Sequence, residues 1–104
     1  MSADQIMEQI QDRSDALRDA ELRAAETEMA LKAWEATTAL AFRSSGMSMS
    51  EAERRVRAQN GWDEIYMACQ EAQIDAAEAK RKWSRACQAL DAWRTERATM
   101  RAAG

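Results

Sequence analysis

The 104-residue chain contains no proline and no histidine, and only three glycines. Without proline, no ring removes a backbone donor or clashes with a preceding turn, so helices can run long. Without histidine, the commonest general base and metal ligand are both missing. Aromatic residues are few: four Trp, one Tyr and one Phe. No apolar run approaches the ~20 residues that cross a bilayer, and the opening MSADQIMEQIQD is acidic, unlike the start of a signal peptide. There is no glycine-rich phosphate loop, and no serine or cysteine has an activating partner in the sequence. These absences predict a cytoplasmic, non-enzymatic protein with no cofactor and no membrane attachment.

Cysteine is scarce as well. Cys69 and Cys87 stand eighteen positions apart on one predicted helix, about 27 Å along its axis, too far to bridge. With no histidine to join them, they make no zinc site. The expectation is two small thiols packed in a reducing compartment.

What the chain does contain is alanine and charge. Hydrophobic residues make up 46% of it, about half of them alanine, and charged residues 32%. That composition with a seven-residue apolar period marks a long helix or coiled coil. Ser2 and Gln5 have the spacing of a capping box and start the first helix. One seam position then reads Ala3, Ile10, Leu17, Ala24, Leu31, Thr38, and the other Ile6, Arg13, Ala20, Thr27, Trp34, Ala41. Ser44-Ser45-Gly46 should end that helix, and Ser48 or Ser50 with Glu51 or Glu53 should cap a short second one. Asn60-Gly61, both tolerant of positive φ, should stop it. The third helix repeats the seam as Trp62, Cys69, Ala76, Trp83, Leu90, Arg97 and Ile65, Ala72, Ala79, Ala86, Trp93, Met100.

The predicted fold is therefore all-α: a single helical domain over 1–104, with helices at 3–44, 49–59 and 62–102. These form a long antiparallel, coiled-coil-like hairpin with a short connecting helix. Folding about the connector should set opposite each other residues whose numbers sum to about 106, so that Trp34 faces Ala72, and Trp83 faces Ala20 and Ala24. Phe42, Met47, Met49, Val56, Ile65 and Tyr66 should form an apolar plug near the connector. Two helices lined mainly by alanine bury little surface, so the chain is expected to self-associate as a dimer or larger bundle.

Charge is distributed unevenly along the chain. Residues 1–28 hold eight acidic side chains and three arginines, whereas the last quarter holds seven basic side chains and two acidic ones. Lys80, Arg81, Lys82 and Arg85 surround Trp83, an interleaving of base and aromatic suited to phosphates and stacked nucleobases. The competing expectation is internal pairing, with Asp4 and Glu8 near Arg97 and Arg101, Asp12 near Arg94, and Arg13 over Trp93. Asp12, Asp15 and Asp19 recur at i, i+3, i+7 and line one helix face. Such a stripe can imitate a phosphate backbone and occupy a nucleic-acid-binding surface on another protein. Glu71, Asp75 and Glu78 also share a face, but only Asp75 and Glu78 have the spacing of a helical metal-ligand pair, and no metal site is expected.

The segment from Trp83 to Arg101 contains the pattern R-A-x-x-x-L-x-A-W-R-T-x-x-A-x-x-R. It resembles the C-terminal helix of small alanine-rich helical accessory proteins of tailed bacteriophages. The resemblance covers about twenty residues and rests mostly on the seam residues Ala86, Leu90 and Trp93. It implies an accessory role in phage DNA metabolism or in countering host functions, within the host cytoplasm. The partners expected are thus the chain itself and a host or phage protein of nucleic-acid metabolism. Direct DNA binding in recombination and a purely structural assembly role are the alternatives.

Overall fold

The computed structural model describes residues 2–103 and contains three helices: α1 (Ala3–Ser44), α2 (Met49–Arg57) and α3 (Trp62–Ala103). The chain is an all-α helical hairpin, and its ends are set by local chemistry. At the start of α1 the Ser2 amide donates to Gln5 Oε1 at 2.9 Å, while the Gln5 amide donates to Ser2 Oγ at 3.2 Å. Both arms of the capping box are thus made, satisfying amides that the first turn leaves without partners. At the other end the Met47 amide donates to the Phe42 carbonyl and the Gly46 amide to that of Arg43. This crossed pair is a Schellman motif, and it requires the positive φ of 95° found at Gly46.

Ser48 caps α2, accepting from the Glu51 amide at 3.3 Å. The helix ends at Arg57 instead of residue 59, because the Ala58 and Gln59 amides donate to carbonyls three residues back and tighten the last turn. Of the Asn60-Gly61 pair, Gly61 takes a positive φ, of 100°, and its carbonyl receives the Ile65 amide to open α3. Asn60 stays at negative φ, so one glycine suffices for the turn. α3 runs one residue beyond the expected 102.

The chain divides into two compact units, Glu21–Ile74 and Met1–Ala20 with Asp75–Gly104. In the first, α2 lies along the last turns of α1: Glu35, Ala36 and Ala39 border one groove with Glu53, Val56 and Arg57. Ala52 (0% exposed) and Val56 (3%) are buried. Since α2 occupies that end of α1, α3 begins beside Glu35, whose Oε2 accepts a hydrogen bond from Trp62 Nε1 at 3.2 Å. Thr27 and Ala30 adjoin Glu64, Ile65 and Ala68. Residues facing each other thus add to about 96, not the expected 106. Trp34 is accordingly level with Trp62 and not with Ala72. Of the expected plug, Val56 is buried and Phe42, Met47 and Ile65 are half-buried, but Met49 and Tyr66 are exposed, with Tyr66 stacked on Trp62 at 4.7 Å.

The second unit keeps the same offset. Arg13 and Ala16 border a shallow depression with Asp75, Glu78, Ala79 and Lys82. Trp83 is therefore level with Arg13 and not with the alanines expected, Leu17 is level with Ala79, and Ile6 with Leu90. Ile6 and Ala86 are buried here, while Leu17, Trp83, Leu90 and Trp93 are half-buried. Of the expected seam, Ala3 and Ala41 on α1 are exposed. From Ile6 to Thr38 and from Trp62 to Trp93 every seam residue is buried or half-buried. Ala3 comes level with Trp93, so the last ten described residues of α3, 94–103, run past the start of α1. All ten are exposed, including the seam residues Arg97 and Met100.

Candidate interaction surfaces

Helical geometry decides which of the charged residues act together. On α3, Arg81 and Arg85 lie one turn apart on the side away from the seam, whereas Lys80 and Lys82 flank the seam on opposite sides. The four cations fan around the helix and do not form one patch. Lys82 is moreover paired with Glu78 at 3.6 Å. Trp83 and Trp93 are half-buried in the seam, so their faces are not a platform for stacked bases. The structure brings these residues onto one segment but not onto one surface.

The acidic residues of α1 behave differently. Asp12, Asp15 and Asp19 are all exposed and share the side of α1 opposite its seam. Glu8 extends the row by one turn, giving four carboxylates over about 16 Å of helix. Asp15 accepts from Gln11 Nε2 at 3.0 Å and pairs with Arg18 at 3.3 Å. Both partners lie on the same helix and are exposed, so the row keeps its negative field.

The expected pairing of the chain's charged ends is replaced by local contacts. The guanidinium above Trp93, at 5.2 Å, belongs to Arg97 on the same helix and not to Arg13. The offset sets Arg97 and Arg101 beyond Asp4 and Glu8, and Arg94 beyond Asp12. The ion pairs of Arg18 with Asp15, Lys32 with Glu28 and Lys82 with Glu78 all run along single helices.

Glu78 and Glu35 are taken up by Lys82 and Trp62, and among the described residues no three Cys, Asp or Glu side chains stand close enough to hold a metal. Cys69 is buried, with its sulfur accepting from Gln73 Nε2, and Cys87 is half-buried; both are free thiols. No helix among the described residues is long and apolar enough to cross a membrane.

One feature was not singled out from the sequence. Exposed apolar side chains concentrate in the unit Glu21–Ile74, where Leu22, Met29 and Leu40 on α1 and Met67 and Ile74 on α3 lie off the seam. Their outer heptad positions were the signal. The row Arg94, Arg97, Arg101, expected from the sequence to pair with Asp12, Asp4 and Glu8, instead lies exposed on the seam side of the end of α3. Its heptad positions were readable, but its exposure follows only from the offset. No family model, curated protein or solved structure matches this chain.

Proposed function

We propose that this protein is a non-enzymatic interaction module that engages a basic, nucleic-acid-binding surface of another protein through the acidic row on α1. The observation that carries this reading is the placement of Glu8, Asp12, Asp15 and Asp19 on one exposed helix side. Carboxylates 3 or 4 residues apart stand about 4.5–6 Å apart along the axis, a regular row of negative charge somewhat wider in spacing than the ~3.4 Å of axis per phosphate on one nucleic-acid strand. A rigid helix holds them there without ordering cost at the moment of binding. The resemblance of Trp83–Arg101 to phage accessory proteins favours a host or phage protein of nucleic-acid metabolism as the partner.

Direct nucleic-acid binding by Lys80, Arg81, Lys82 and Arg85 is the second reading, favoured by the seven cations in the last quarter of the chain. It is weakened by their spread around α3 and by the packing of Trp83 and Trp93.

One experiment separates the two. Labelled single- and double-stranded oligonucleotides are titrated with the protein at low salt, and immobilised protein is then exposed to a bacterial lysate. The first reading expects no change in oligonucleotide anisotropy. It also expects captured nucleic-acid-binding proteins that added duplex displaces and that D12N/D15N/D19N fails to retain. Salt-sensitive oligonucleotide binding that R81E/R85E abolishes would overturn it in favour of the second.

A further inference from the structure

We infer that the outer side of α1 between Glu26 and Arg43 is a self-docking surface, on which a second copy of this chain lays the same stretch of α1 antiparallel about a two-fold axis. The starting observation is apolar exposure. Met29 and Leu40 are 70% and 68% exposed, more than any other large apolar side chain among the described residues. Both lie on the side of α1 opposite its seam, in one row with Glu26, Ala33, Ala36 and Arg43, all of them exposed. α3 covers the seam side, and α2 reaches this one only where it borders Ala36.

Spacing, size and charge along the row identify the occupant. The six residues follow one another at intervals of 3, 4, 3, 4 and 3, so the intervals are the same read from either end. Two copies laid antiparallel therefore match position for position. Glu26 faces Arg43 of the second copy, Met29 faces Leu40, and Ala33 faces Ala36. The two-fold axis passes between the levels of Trp34 and Glu35 and repeats each contact. The alanines at the centre let the helices approach closely, and Met29 and Leu40 leave water against each other on either side. At each end a carboxylate meets a guanidinium. Among the described residues Glu26 has no ion pair within its own chain, and Arg43 donates only to the Met49 sulfur, at 3.5 Å. Lys32 stands at the edge with its charge met by Glu28 at 3.1 Å. Parallel pairing in register would set Glu26 on Glu26 and Arg43 on Arg43, and like charges at both ends disfavour it. Because α2 flanks only the half of the row from Glu35 onward, the symmetry sets α2 of the second copy beside the other half, where the two do not meet. α1 ends at Ser44, which comes level with Ala25 of the other copy and stops short of Asp19. The acidic row stays uncovered, so dimerisation and the engagement of a basic partner are independent.

Sedimentation velocity on the full chain over a dilution series tests it. The expected mass rises to twice the 11.7 kDa of the chain and no further. E26R and R43E each set like charges together at both ends and should weaken dimerisation by about tenfold or more. The double swap E26R/R43E restores opposite charges with their places exchanged and should recover most of that loss. A33E/A36E, which puts bulk and charge into the close centre, should leave only single chains. All four positions are exposed, and circular dichroism verifies that each variant remains helical. A wild-type chain that stays at single-chain mass up to ~0.1 mM overturns the inference and leaves the row to a different protein. It is also overturned by a single charge variant that associates like wild type, by a folded double swap no tighter than the single variants, by association that survives A33E/A36E, and by masses that climb beyond two chains.

Discussion

Trp62 shows how one side chain can fix where a helix begins. Its indole N–H reaches Glu35 at 3.2 Å and its ring stacks on Tyr66, so the first residue of α3 is tied both across the pair and along its own helix. A partly buried hydrogen bond to a carboxylate contributes about 1 kcal/mol net. Trp62→Phe keeps most of the apolar area and removes the donor, so it should destabilise by about 1 kcal/mol. Combined with Glu35→Ala it should show a coupling of about 0.5–1 kcal/mol in chemical denaturation, because the two changes remove one shared interaction. Strictly additive losses would show that the bond contributes nothing. The sequence placed Trp62 on the seam but could not pair it with Glu35. A seam pattern states which side of a helix is covered, not which turn of the partner covers it.

At the scale of the helices, the bounds, caps and seam were legible, and the offset between the helices was not. Capping chemistry is local: Ser2 with Gln5, Ser48 with Glu51 and Gly46 each act within six residues. The offset depends on where α2 packs. A folding point at the middle of the connector implies a sum of about 106, but a heptad seam also keeps apolar positions facing at other sums, 96 among them. α2 settles the choice by lying against Ala36 and Ala39, which leaves α3 to start beside Glu35. Cysteine trapping checks this in a background lacking Cys69 and Cys87. Ala24→Cys with Ala72→Cys should form a disulfide under mild oxidation, being level in the seam. Trp34→Cys with Ala72→Cys, level only under the rejected offset, should not. The reverse outcome would restore a sum near 106.

For the whole molecule the acidic row was readable from the sequence as a surface, because i, i+3, i+7 spacing fixes its side of the helix. The exposed arginine row was not, because its exposure is a product of the offset. The basic segment, conspicuous in one dimension, is dispersed in three by the 100° turn between neighbours. An end of α3 without a partner helix should also exchange its amides quickly, as short unsupported helices open readily in water. Hydrogen exchange should show residues 97–103 exchanging fastest in α3 and residues near Cys69 and Ala72 slowest. Uniform protection along α3 would contradict its unpaired end. The division into two units also orders events during synthesis. Glu21–Ile74 is one continuous stretch, so its pairing can form as soon as Ile74 has left the ribosome. The other unit joins the first twenty residues to the last thirty and must wait for the chain's final turns. During that interval, several seconds at about 5–20 residues per second, the acidic first half of α1 has no helix to cover it. Its negative charge, repeated on every nascent copy, opposes association between half-made hairpins.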